Sequence, residues 1–167
     1  MEPTTDCRIS RMLDIFFSWG VPKGMTKTAK REAVKRIREE VRELSEAIDN
    51  NDDVAALDAI CDIQVISADY AYRCGYDLEN AVDEVNNSNA TKTLYGEDVL
   101  NNCQDSLDAL AAKGKQDLRV VRADYGDLED SEDFLATGSI IDKQGKVQKP
   151  LTFAEPDLTL FVGEPNE

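Results

Sequence analysis

The chain has no histidine among its 167 residues. That absence removes Ser-His-Asp and Cys-His nucleophile systems, histidine-ligated zinc and imidazole acid–base chemistry. Proton transfer must run through carboxylates, lysine, tyrosine or metal-bound water. Cysteine offers little in its place. Cys7, Cys61, Cys74 and Cys103 form no CxxC pair, so the spacing spells neither a zinc knuckle nor a dithiol redox site. Cys61 and Cys74 fall in apolar helical patterns and are expected to be buried and reduced. No apolar run approaches the length that crosses a bilayer. The first residues, Met1-Glu2-Pro3-Thr4-Thr5-Asp6, lack the apolar stretch of a secretory signal. A cytoplasmic location is expected.

Positive charge is also scarce: 19 Lys and Arg stand against 34 Asp and Glu, a formal net charge of −15. Such a surface repels phosphodiester backbones, so no nucleic-acid polymer is expected as a partner. The excess acid has three readings: solubility, a high-salt host, or a cation site whose carboxylates are neutralised by metal.

What is present is a run of helical patterns. With 41% hydrophobic residues the chain can form one compact core with a small appendage. A helix over 7–19 carries Ile9, Met12, Leu13, Phe16 and Phe17 at three- and four-residue steps, and Gly20 and Pro22 close it. A second helix over 27–49 shows the seam Val34, Ile37, Val41, Leu44 and Ile48. Asp52 or Asp53 can cap a third helix over 54–74, whose apolar face reads Leu57, Cys61, Val65, Ala68 and Tyr72, widened by Ile60 and Ile66. Gly75 suits its C-terminal cap and Asp77 the start of a fourth helix ending near Ser88-Asn89. The expected fold is mainly α: an antiparallel four-helix unit over 1–95, with its bundle completed by dimerisation. A small α/β appendage follows over 96–167, with a helix over 99–112 and strands over 117–122, 134–141 and 147–153. The last two strands are joined by a hairpin turn at Lys143-Gln144-Gly145-Lys146, and 126–133 forms an acidic loop.

The chemistry concentrates on the second and third helices. Residues three and four apart share a helical face, which groups Glu39, Glu40, Glu43 and Glu46 on one helix. Asp58, Asp62 and Asp69 are grouped in the same way on the next. Packed antiparallel, the two rows can face each other. Converging carboxylates repel unless a cation sits among them, and hard oxygen donors select Mg²⁺, Mn²⁺ or Ca²⁺. The alternative is a solvated acidic face, with Arg36, Arg38 and Arg42 as ordinary ion-pair partners.

Taken in order, Glu39-Glu40-x-x-Glu43, Asp58-x-x-x-Asp62, Gly75-x-Asp77 and Glu84-Val85-Asn86-Asn87-Ser88-Asn89-Ala90-Thr91-Lys92 resemble the MazG-like, all-α NTP pyrophosphatase superfamily. The phage-type branch labelled phosphoribosyl-ATP pyrophosphohydrolase-like is the most similar. Phe16-Phe17-Ser18-Trp19-Gly20-Val21-Pro22 is similar to the start of that branch. Asp142-Lys143-Gln144-Gly145-Lys146-Val147-Gln148-Lys149-Pro150, followed by Pro156-Asp157-Leu158, is similar to its C-terminal signature. The resemblance implies Mg²⁺-dependent cleavage of a nucleoside triphosphate to monophosphate and pyrophosphate, with Mn²⁺ as a substitute cation, in a homodimer or homotetramer. By position it implies Glu40, Glu43, Asp58 and Asp62 as metal ligands and Glu39 and Glu40 as water-activating residues. Asn89, Lys92 and Lys149 would hold substrate. The chain departs from many members at Ala59, where an acidic residue precedes Asp62 by three; Asp58 takes that role. It also carries the long stretch 93–141. Two rival functions fit the same residues: a weakly catalytic or non-catalytic protein that sequesters a nucleotide, and a purely structural helical protein.

Overall fold

The computed structural model describes residues 8–95, 99–123 and 137–162. The fold is mainly helical with a small antiparallel three-stranded sheet. In chain order come α1 (Arg8–Ser18), α2 (Lys27–Asp49), α3 (Asp53–Cys74), α4 (Leu78–Ala90), β1 (Thr93–Tyr95), α5 (Val99–Ala112), β2 (Arg119–Ala123), β3 (Thr137–Ile141) and a 3-10 turn, Thr159–Phe161. Among the described residues no helix is long and apolar enough to cross a membrane. Cys7, the acidic stretch 126–133 and the start of the strand expected at 134 lie outside the described residues.

The chain divides into two compact units, 1–82 with 158–167, and 83–157. In the first, α3 packs against both α1 and α2. Thr26 caps α2 by accepting from the Ala29 N–H at 3.1 Å. Asp52 caps α3 by accepting from the Ala55 N–H at 3.0 Å. Between them Asn51 takes φ 54°, a left-handed conformation that asparagine tolerates, and the Asp52 N–H returns to the Ala47 carbonyl at 2.9 Å. This tight turn reverses the chain, so α2 and α3 run antiparallel. Gly75 ends α3 at φ 72°. Asp77 accepts from the Asn80 N–H at 3.3 Å at the start of α4, and Ser10 of α1 donates to Glu79 of α4 at 2.6 Å.

The face of α2 that packs differs from the one its larger apolar residues suggest. Val34, Val41 and Ile48 are exposed, while the two buried residues of α2 are Ala33 and Ala47. The packed seam is Ala33, Ile37, Glu40, Leu44 and Ala47, again at steps of four and three. On α3 the corresponding row is Ala59, Ile63, Ile66 and Tyr70, buried or half-buried, whereas Leu57 and Val65 are exposed. Cys61 is likewise exposed, contrary to the burial expected for it; Cys74 is buried, and both are free thiols. Small residues at a helix contact favour the stripe that carries them. Alanines at the contact let two helix axes approach more closely than a seam of valine and isoleucine would.

In the second unit β3 is the central strand, ordered β1-β3-β2, with Val120 opposite Ile140 and Leu94 opposite Gly138. The helix α5 packs on the sheet, and Ile140, Cys103 and Ser106 are each at most 2% exposed. The three-residue β1 escapes sequence reading because it is too short to show alternation. The strand expected over 147–153 is absent. Only Val147 bridges to Ile141, around the turn in which Asp142 accepts from the Lys146 N–H at 2.9 Å. Gln148 N–H still donates to the Ile140 carbonyl at 2.7 Å, but beyond it the backbone donors go elsewhere. Pro150 has none, Leu151 N–H donates to Ser106 Oγ at 3.1 Å and Ala154 N–H to Thr91 Oγ1 at 2.9 Å. Replacing Ile140 by alanine is expected to destabilise the fold by about 2–5 kcal/mol, read as a lowered denaturant midpoint in equilibrium unfolding. An unchanged midpoint would show that the sheet–helix core contributes little.

Candidate functional site

The antiparallel turn brings the two acidic rows together. Glu40 is the one carboxylate within the α2 seam and is half-buried, whereas Glu39, Glu43, Asp58 and Asp62 are exposed. Its carboxyl is held above the ordinary glutamate range, first by partial burial, then by the negative charge of Glu43, Asp62, Glu39 and Asp58 in that order. All four neighbours are residues singled out by spacing, and two of them sit on the opposite helix. Every carboxylate assigned to the metal or to water activation is therefore felt at one point, the Glu40 side chain.

Cations are distributed unevenly around the rows. Arg42 pairs with Glu46 and lies 3.7 Å from Glu43. Arg36 reaches across to Asp69 at 3.6 Å, and Arg73 donates to the same carboxylate at 2.7 Å. Asp69, although grouped with Asp62 by spacing, is thus a buried, twice-paired structural acid and not part of the free row. Among the described residues no ion pair engages Glu39, Glu40, Asp58 or Asp62. The donor set is all carboxylate oxygen, which fits a hard divalent cation. As they stand, no three acidic, cysteine or histidine side chains among the described residues converge closely enough to grip an ion.

The residues expected to hold substrate belong to the second unit. Asn89 closes α4 and accepts from Lys92 Nζ at 2.6 Å. Lys92 and Lys149 both lie over the Phe153 ring, at 5.5 and 4.3 Å from its centroid, and Lys149 is paired with Glu155 at 2.7 Å. Sequence reasoning missed Phe153, although its place three residues after Lys149-Pro150 was a usable signal. An aromatic ring holding two ammonium groups by cation–π attraction fixes both lysines near each other. Ser88 anchors this segment by donating to the Ala154 carbonyl at 2.7 Å.

Searches against protein-family models, curated proteins and solved structures returned no match.

The raised Glu40 value has a consequence for stability. A carboxyl whose folded-state value lies above its unfolded one favours the fold when protonated and opposes it once pH rises through the folded value. Glu40→Gln, which mimics the protonated form, is expected to raise the melting temperature of the metal-free protein at neutral pH. The gain should fade as pH falls through the raised Glu40 value into the ordinary glutamate range. Melts followed by circular dichroism across that window check it; a pH-independent difference would contradict it.

Proposed function

We propose that the chain is a Mg²⁺-dependent nucleoside triphosphate pyrophosphohydrolase of the MazG-like, all-α type, releasing monophosphate and pyrophosphate. The observation that carries this reading is the electrostatic convergence on Glu40 of Glu39, Glu43, Asp58 and Asp62, of which only Glu43 has an ion-pair partner, Arg42, among the described residues, while Arg36 pairs with Asp69. A bound divalent cation would supply charge neutralisation for the triphosphate and a more acidic water. Glu40, Glu43, Asp58 and Asp62 are the residues to hold it, and Mn²⁺ has the same donor preference. Glu39 or Glu40 would accept a proton from the attacking water. The oxygen of that water bonds to the α-phosphorus, and the bond to the pyrophosphate leaving group breaks. Lys92 and Lys149 bring positive charge suited to phosphate, and Asn89 a neutral amide suited to sugar or phosphate.

The fold that goes with this reading is an antiparallel four-helix unit completed by further copies of the chain, as a homodimer or homotetramer. Exposed apolar residues support it. Val34, Val41 and Ile48 recur every seven residues on α2 at 43–61% exposure, and Val54 and Leu57 on α3 are 81% and 62% exposed.

Pyrophosphate release from a panel of ribo- and deoxyribonucleoside triphosphates tests the reading. Glu43→Gln and Asp62→Asn should each lower Mg²⁺-dependent release by about 100-fold or more with the helical circular dichroism unchanged. Full turnover in both variants would refute it, and nucleotide binding by the wild-type chain without turnover would favour a sequestering protein instead.

A further inference from the structure

The amino-terminal half of α2 carries a second charge feature of opposite sign. Six of the 19 basic residues of the chain fall between 27 and 38, accompanied by one acid, Glu32. The first turn of α2 contains no acidic residue, although a helix N-terminus carries partial positive charge and normally favours acids there. Lys27, Lys30, Arg31, Lys35 and Arg38 also stand three or four residues apart, so they repel one another along the helix. Local rules are broken here without local compensation.

The structure gathers these residues. Lys27, Lys30, Arg31, Lys35 and Arg38 line one open cavity of about 440 Å³ together with Tyr70, while Arg36 alone of the six turns away to Asp69. Lys35 pairs with Glu32 at 2.7 Å. Among the described residues no carboxylate pairs with Lys27, Lys30, Arg31 or Arg38. Tyr70 is half-buried with its ring 6.2 Å from that of Tyr76. Its phenol, neutral at physiological pH, lines the cavity. At about 100° per residue, Arg31 and Arg38 lie roughly 160–180° around α2 from Glu40. Lys35 and Glu39, four residues apart, share a face, so the basic cavity and the acidic row are set apart chiefly along the helix, in its amino-terminal and carboxy-terminal halves.

We propose that this cavity is a binding site for a small molecule carrying several phosphate groups, separate from the acidic row. Four cations without acidic partners call for more than one negative charge, and Lys and Arg together suit clustered phosphate oxygens. The volume is that of a small-molecule site. A long polyanion would extend over the remainder of a chain whose formal net charge as a whole is −15, which selects a compact ligand. The site goes beyond the hydrolytic reading and does not depend on it, because nothing in it requires metal or turnover.

Calorimetric titration of the full chain with inorganic tripolyphosphate in EDTA at low ionic strength tests the proposal. Saturable binding is expected, weakened by added salt. Lys30→Gln/Arg31→Gln should weaken it roughly tenfold or more, and Arg38→Gln, a single exposed change, should weaken it in the same direction. Glu43→Gln should bind tripolyphosphate as tightly as the wild-type chain even where it has lost pyrophosphate release, which separates this site from the acidic row. Absence of saturable binding, unchanged affinity in the basic-residue variants, or tighter binding of a single-stranded oligonucleotide than of tripolyphosphate would overturn it.

Discussion

The packing of α2 against α3 through an alanine-containing stripe is the constraint on which the rest of the first unit depends. It rests on small residues: Ala33 and Ala47 are the only buried positions of α2, and Ala59 is buried on α3. Packing this stripe has two effects. It leaves the bulkier apolar residues, Val34, Val41, Ile48 and Leu57, on the outside, and it admits an acid, Glu40, into the seam. A glutamate in that position is opposed by partial desolvation and by its neighbours, and both effects appear in its raised affinity for protons. Substituting a larger side chain at Ala33 or Ala59 would spread the helices and dilute the interaction between Glu40 and Asp62 as well as the packing.

A second consequence is the polarity of α2. Its amino-terminal half is basic and its carboxy-terminal half acidic, with the change of sign falling between Arg38 and Glu39. For a helix this is the reverse of the arrangement its dipole favours. Thr26 capping and the seam with α3 offset that disadvantage, while Arg36–Asp69–Arg73 ties the basic half to α3 through a buried carboxylate. Two charge concentrations of opposite sign on one rigid element are difficult to explain by solubility, which asks only for mixed surface charge.

Much of this arrangement was legible in the residues. The bounds of α2 and α5, the Asp52 and Asp77 caps and the Gly75 terminator follow from local rules that tertiary structure did not override. The joint action of Glu39, Glu43, Asp58 and Asp62 on Glu40 follows from spacing plus one antiparallel turn. Other features were not legible. Which of two adjacent stripes packs depends on how closely the axes approach, and hydrophobicity alone favoured Val34 and Val41 over Ala33. The role of Asp69 depends on Arg36 and Arg73 reaching it in space. The route of 147–153 is set by distant acceptors, Ser106 and Thr91, that no local pattern names.

The central claim is that the carboxylates around Glu40 are held in mutual repulsion that a divalent cation relieves. The most direct measurement is the melting temperature of the wild-type chain in EDTA and then with increasing Mg²⁺, alongside Asp62→Asn. A ligand that binds only the folded state stabilises it by mass action. The account predicts a saturable rise for the wild-type chain that is largely lost in the variant. An absent rise, or one equally large in Asp62→Asn, would contradict it.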